Sequence, residues 1–312
     1  MSGIPREPTP ILYARPLRRY FAATRPAFLS VTFFAVMIGL ATASTGGKVD
    51  LLRAVVTLVF ALCAHAGVNV LNDYYDALNG SDAANTERLY PYTGGSRFIQ
   101  NGVLSLRATR WFGYTLMAAV IPAGLWLSLV SAPALLGIGL AGLLIGWAYS
   151  APPLQLMCRG LGELAIAAGW WLVVVGSDFV QRGSFAPLPM IAAVSYALLV
   201  VNILYINQFP DRRADASAGK RTLVVRLGPR KARWGYVAIA VLAHAWLYGA
   251  IRADWLPLLS ALALVSSVPA YMAAGTLLRH ARHPARFRSA ISASILAANL
   301  HGLLLAVTIA LL

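Results

Sequence analysis

Apolar runs long enough to cross a bilayer recur along this chain, and no other feature narrows its fold as far. Crossing roughly 30 Å of hydrocarbon takes about 20 mainly apolar residues, in a helix that satisfies its own backbone hydrogen bonds. Such runs stand near 26–45, 53–78, 111–130, 133–150, 161–181, 188–209, 233–251, 255–278 and 288–311. The pattern predicts an all-α polytopic membrane protein with nine transmembrane helices around a central cavity, forming one domain over 1–312. Composition agrees, since 59% of residues are hydrophobic and 12% charged, against about 45–50% and about 25% in soluble proteins.

Nine spans put the two termini on opposite sides, which the basic residues can test. Of the 26 Lys and Arg, 22 fall on one side, in residues 1–25 and the loops near 79–110, 151–160, 210–233 and 279–288. Lys48, Arg53, Arg182 and Arg252 make up the other side. Cytoplasmic loops retain the excess of positive charge, so the N-terminus is expected in the cytoplasm and the protein in a cell inner membrane. A net charge of +15 confined to short loops on one face points to anionic lipid headgroups and away from nucleic acid. Arg15, Arg18, Arg19 and Arg25 before the first apolar run mimic a signal peptide. That run is too long and lacks a small-residue cleavage site, so 1–25 reads as a cytoplasmic lead. Cys63 and Cys158 offer neither a disulfide framework nor a thiolate metal site.

Only 11 residues are acidic, yet three stand in NVLNDYYDALNGSD at 69–82. Residues three and four apart share a helical face, so His65, Asn69, Asn72, Asp73 and Asp76 form a polar stripe at the end of the second span. Asn207, Asp211 and Asp215 repeat the arrangement on the sixth, and Asn-x3-Asp occurs in both, a weak internal repeat. Carboxylates near the bilayer cost a few kcal/mol and repel one another, so a positive partner is expected between them. Carboxylates with amide oxygens are the hard donors that Mg²⁺ takes, commonly shared with phosphate oxygens. Arg88, Arg97, Lys220 and Arg221, in the same loops, are then candidates for the outer oxygens of a diphosphate. A purely structural role, neutralising Arg88, Arg212, Arg213 and Lys220 at the interface, accounts for one cluster more easily than for two.

The stretches NDYYDALNGSD and NQFPDRRADASAGKRTLVVRLG resemble the paired Asp-rich motifs of the UbiA superfamily of intramembrane prenyltransferases. Asp82, six residues beyond Asp76, has a longer spacing than the NDxxDxxxD of the 4-hydroxybenzoate branch and is similar to the 1,4-dihydroxy-2-naphthoate branch. GGSRFIQNGVLS at 94–105, YSAPPLQLMCRGLGEL at 149–164 and AGKRTLVVRLG at 218–228 lean the same way. Two places depart from that branch, Met157-Cys158 before Arg159 and Asn207-Gln208-Phe209-Pro210 before Asp211.

The resemblance implies Mg²⁺-dependent transfer of a polyprenyl group from an allylic polyprenyl diphosphate to an aromatic acceptor, 1,4-dihydroxy-2-naphthoate in quinone biosynthesis, with 4-hydroxybenzoate as the alternative. Asn72, Asp73, Asp76 and Asp82 would serve one Mg²⁺, and Asp211 and Asp215, assisted by Asn207, a second. Tyr149 and Ser150 would contact diphosphate or acceptor, and Arg159 would hold an acceptor carboxylate. The loops 79–110 and 210–233 become cytoplasmic active-site loops. Tyr74, Tyr75, Tyr149, Trp170, Trp171 and Tyr205 are candidates for an apolar lining around an allylic cation, and His65 for a base. A cation-coupled transporter is the alternative of another class, and it would place the acids near the bilayer midplane.

Overall fold

The computed structural model describes residues 6–312, so the first five residues of the expected 1–25 lead lie outside the described residues. Every regular element described is helical: α1 (Pro16–Ala23), α2 (Pro26–Ser44), α3 (Leu51–Asn79), α4 (Ser81–Ala84), α5 (Leu106–Val130), α6 (Leu135–Ser150), α7 (Gly162–Arg182), α8 (Pro187–Ser217), α9 (Leu223–Arg252), α10 (Ser267–His280) and α11 (Arg288–Ala310). Local chemistry sets their starts. Asp50, Ser105 and Thr222 accept backbone N–H groups in the first turns of α3, α5 and α9, at 2.9, 3.1 and 3.4 Å. Proline opens α1, α2 and α8, where its missing N–H costs nothing.

Among the described residues, eight segments are long and apolar enough to cross a membrane: α2, α3, α5, α7, α8, α9, the joined Leu258–His280 and α11. The remaining expected run is α6, whose 16 residues extend only about 24 Å. The first half of Leu258–His280 is a 3₁₀ stretch, Leu258–Ser266, and α9 is kinked at Gly228–Pro229.

Side chains of α2, α7, α8, α9 and α11 share the main core, among them Ile38, Val174, Tyr196, Leu199, Leu247 and Leu305. The helix α8 runs through its centre. The helix α3 packs against α2, α5, α6 and α7. Large apolar side chains such as Leu129, Leu140, Leu258 and Met272 face outward; a hydrocarbon surrounding accepts them where water would not.

The two acid-bearing helices overshoot the bilayer. At 1.5 Å per residue, α3 with 29 residues and α8 with 31 are about 44 and 46 Å long, while roughly 30 Å suffices to span. Twenty residues from their starts, Leu51 and Pro187, bring the chain to Val70 and Ile206. Every acid on the two stripes lies beyond those points, at the helix ends rather than the midplane that a transporter would use.

Candidate active site

The α3 stripe turns its acids into the protein. Asp73 accepts the Ser96 backbone N–H on both oxygens, at 3.2 and 3.1 Å. Asp76 accepts Asn72 Nδ2 and Asn79 Nδ2, each at 3.1 Å. Asn72 Nδ2 also lies 3.2 Å from Ser150 Oγ, tying α3 to the end of α6. Gly80 then adopts φ 82°, the left-handed conformation that side chains disfavour, and the chain doubles back through α4. Asp82 is thereby brought to the same cavity wall as Asp76, 5% exposed. Burial, and after it the charges of Asp76 and Asp73, push the Asp82 carboxyl well above the ordinary carboxylate range.

The α8 stripe ends in the same way. Gly219, φ 77°, reverses the chain so that the Lys220 N–H bonds back to the Asp215 carbonyl at 2.9 Å. The Lys220 ammonium consequently folds over its own helix end and lies 3.0 Å from Asp215 Oδ1 and 3.0 Å from Asp76 Oδ1. Asp211 accepts Asn85 Nδ2 at 2.5 Å. The two acid-bearing helix ends, 135 positions apart from Asp76 to Asp211, therefore meet through Lys220 and Asn85. Burial would lower the Lys220 pKa, but Asp76 and Asp215 outweigh it and hold it well above its ordinary value.

Between the ends lies a cavity of about 160 Å³ whose wall includes Asn72, Asp76, Asp82, Asn207, Asp211, Asp215 and Lys220. A second, apolar cavity of about 560 Å³ runs between α3, α5, α6 and α7. His65, Val68, Tyr149, Ile166 and Trp170 line both, so the polar end opens into the apolar one. The apolar cavity reaches Ile121, Leu125, Leu136 and Leu140, each lipid-exposed.

Of the aromatic side chains expected as lining, Tyr149 and Trp170 are there. The others have been claimed by packing: Tyr75 bonds to Tyr114 at 2.7 Å and packs on Tyr74, Trp171 donates to the Met190 carbonyl and Tyr205 to that of Ala232. His65 lines both cavities, with Nδ1 2.8 Å from Thr32 Oγ1.

The arginines also divide. Arg88 donates to Glu7 at 2.7 Å and to the Asn85 carbonyl at 2.6 Å, and Arg97 donates to the Asp82 carbonyl. Arg159 is exposed and donates to the Pro153 carbonyl at 2.6 Å. Arg221 is exposed. None of these four is part of the cavity wall, whereas Arg25 is, with its Nε buried and without a partner. Sequence reading placed Arg25 in the lead and passed it over; its position directly before Pro26, where the first long helix must start, was the available signal. Asn85 and Ser81 were missed as well, because loop residues have no periodicity to place them.

The sequence model of the UbiA prenyltransferase family matches residues 32–300. The chain belongs to that family. This UbiA-family prenyltransferase is 30% identical over 221 residues to the 1,4-dihydroxy-2-naphthoate octaprenyltransferase of Escherichia coli (strain K12), covering 69% of this chain and 70% of that one. Among solved structures, an apo UbiA homolog from Aeropyrum pernix K1 superposes with a TM-score of 0.65 at 18% identity, over 91% of this chain and 98% of that one. A UbiA homolog from Archaeoglobus fulgidus bound to GPP and Mg²⁺ gives a TM-score of 0.60 at 15% identity, over 93% and 99%. These structural likenesses extend the shared fold over nearly the whole chain.

Proposed function

We propose that this prenyltransferase moves a polyprenyl group from an allylic polyprenyl diphosphate to 1,4-dihydroxy-2-naphthoate, with Mg²⁺, at the cytoplasmic face of an inner membrane. The observation that carries the reading is the meeting of two acid-bearing helix ends over a polar cavity that opens into an apolar one. A diphosphate headgroup and an isoprenoid tail have that same division of character. The nine-span topology with a cytoplasmic N-terminus, which the distribution of basic residues favours, completes the proposal. The naphthoate acceptor is supported by the position of Asp82 and by the activity named for the Escherichia coli relative.

The donors fit Mg²⁺. Ser81 Oγ, Asn85 Oδ1 and Asn207 Oδ1 are buried without a hydrogen-bond partner, and all three residues line the cavity beside the carboxylates. Uncharged oxygens with carboxylates form a hard, oxygen-only donor set. No three acidic, His or Cys side chains converge by themselves as a metal centre among the described residues. Asn72, Asp73, Asp76 and Asp82 would hold one ion, and Asp211, Asp215 and Asn207 the other. When bound, Mg²⁺ supplies positive charge against the diphosphate oxygens.

The side chains divide the remaining work. Lys220 and Arg25 face the cavity and stabilise negative charge as the allylic C–O bond breaks and its electron pair leaves with the diphosphate. The shared wall of Tyr149, Trp170, Val68 and Ile166 keeps water from the allylic cation and presents ring faces to it. The electron-rich naphthoate carbon forms the new C–C bond to that cation, and carbon dioxide departs from the same carbon, restoring the aromatic ring. Tyr149, on both cavity walls, and Asn72, on the polar one with Ser150 behind it at 3.2 Å, would lie between tail, headgroup and acceptor. Arg159, outside the wall, would reach an acceptor carboxylate only on leaving the Pro153 carbonyl.

The test is purified protein in detergent with Mg²⁺, a polyprenyl diphosphate and either 1,4-dihydroxy-2-naphthoate or 4-hydroxybenzoate, following diphosphate release and product mass. Product from the naphthoate with loss of carbon dioxide supports the reading. Product from 4-hydroxybenzoate alone would replace the acceptor, and no product from intact protein would defeat it.

A further inference from the structure

Glu7 is an acid the reaction does not use. It lies in the segment before α1, yet its carboxylate is the meeting point of the 79–110 loop. Arg88 Nε donates to Oε1 at 2.7 Å, Arg97 Nε is 3.9 Å from Oε2, and Asn101 Nδ2 donates to Oε2 at 3.1 Å and to the Pro8 carbonyl at 3.0 Å. Nearby, Tyr13 packs edge-on against Phe98 at 4.9 Å, so the segment is held on the loop by apolar contact as well.

Each arginine uses its other end on the acidic turn. Arg88 Nη1 donates to the Asn85 carbonyl at 2.6 Å, and Arg97 Nη1 donates to the Asp82 carbonyl. Asn85 in turn donates to Asp211 at 2.5 Å. Two arms therefore run from one carboxylate: a hydrogen-bonded one through Arg88 and Asn85 to the α8 acids, and one through Arg97 to Asp82 whose contact with Glu7 is charge alone, since Arg97 Nε has no hydrogen-bond partner. Arg97 sits at φ 66°, a left-handed conformation that a non-glycine residue adopts at a cost and that persists where the surroundings over-determine it. Charge gives the arrangement its purpose. Two guanidiniums beside a cluster of carboxylates would be drawn onto them, and Glu7 offers a closer anion on the far side. The Glu7 carboxyl is held below its ordinary range; burial opposes this, and the hydrogen bonds from Arg88 and Asn101 with the charges of both arginines outweigh it.

We propose that Glu7 is a positioning residue for prenyl transfer, holding Arg88 and Arg97 on the backbone carbonyls of the acidic turn so that Asp82 and Asn85 are placed while neither guanidinium is drawn onto the carboxylates. The inference rests on the Mg²⁺-dependent reading above. It assigns Arg88 and Arg97 to the support of the site rather than to contact with the diphosphate.

The full-length protein in detergent carrying Glu7→Gln, and separately Glu7→Asp, tests it by two measurements. The first is hydrogen–deuterium exchange without Mg²⁺ or substrate. Amides of residues 80–104 should exchange at least about tenfold faster in Glu7→Gln, with α8 to α11 unchanged. The second is the Mg²⁺ concentration for half-maximal turnover, which should rise about tenfold, as for loss of an outer-shell partner. Turnover at saturating Mg²⁺ should stay within about twofold, and Glu7→Asp should recover part of both effects. Unchanged exchange, or a fall in turnover with no change in the Mg²⁺ requirement, overturns the proposal. Were the wild type to show no Mg²⁺ dependence, the functional reading would fail, and the exchange result alone would decide the role of Glu7.

Discussion

The ends of α3 and α8 answer one problem in two ways. Both carry Asn-x3-Asp, both are followed within two residues by a left-handed glycine, and both bury carboxylates at the edge of the bilayer. At α8 the counter-charge comes from five positions on, Lys220 after Asp215, through a single turn of chain. At α3 the distant partners are Lys220, 144 positions from Asp76, and Glu7, 81 positions before Arg88, which braces the two nearby arginines on the turn that carries Asp82. A locally closed cluster can form with its own helix, whereas the other is complete only after the bundle has assembled. One lysine belongs to both, which couples them.

The strongest break is the loss of either cluster. Asp76→Ala and Asp211→Ala should each abolish turnover while leaving the helical content and detergent-solubilised yield unchanged. EDTA should do the same to the wild type, reversibly on adding Mg²⁺. Near wild-type rates in both variants would remove the metal assignment.

Cutting the link between the clusters comes next. Lys220→Met leaves Asp76 and Asp215 buried without their shared ammonium, a loss of about 3–5 kcal/mol for a broken buried pair. The thermal midpoint in EDTA should fall well below that of the wild type, and Mg²⁺ should restore more of it in the variant than in the wild type. A midpoint unchanged in EDTA would mean that the lysine is not the counter-ion. Because the Lys220 pKa is raised in the folded protein, its contribution is complete below the unfolded value and is lost only as pH rises through the folded one. The midpoint difference between wild type and variant should accordingly stay constant from pH 6 to 9.

The glycine pair gives a finer comparison. Gly80→Ala and Gly219→Ala should each cost about 1–2 kcal/mol through the left-handed backbone. If the α3 end depends on distant partners, Gly80→Ala should raise the Mg²⁺ requirement more than Gly219→Ala. Equal shifts would erase the distinction.

The smallest effect is expected away from the acids. Gly142→Leu fills part of the apolar cavity behind Tyr149 and should lower turnover of a long prenyl donor relative to a short one, with stability nearly unchanged. No change in that ratio would separate this cavity from the tail.

Much of this was legible in the linear chain. Long apolar runs dictate helices because the bilayer leaves backbone groups no other partner, and i, i+4 spacing alone puts Asn72 with Asp76 and Asn207 with Asp211. The bounds of α3 and α8 matched the expected spans to within a turn or two on the membrane side, and the acids were expected at the helix ends, where they are. The loops were less legible. Arg88 and Arg97 read as diphosphate partners because charge was all that could be seen of them, while the structure engages them with Glu7 and backbone carbonyls. The aromatic residues near the site also looked alike: of the six expected as lining Tyr149 and Trp170 reach its wall, where Phe28 and Tyr92 join them.

By itself, then, the sequence determined a helical membrane protein with two acidic helix ends, since periodicity and hydropathy act over neighbouring residues. Only the tertiary structure decided that Lys220 lies 3.0 Å from an acid on each, that Asp82 turns back to join them, and that Arg25 enters the wall while Arg159 does not. The Lys220 contact with Asp76 depends on how closely α3 and α8 approach, which is set by packing between residues more than a hundred positions apart, and the others on how each connecting turn settles against the assembled helices.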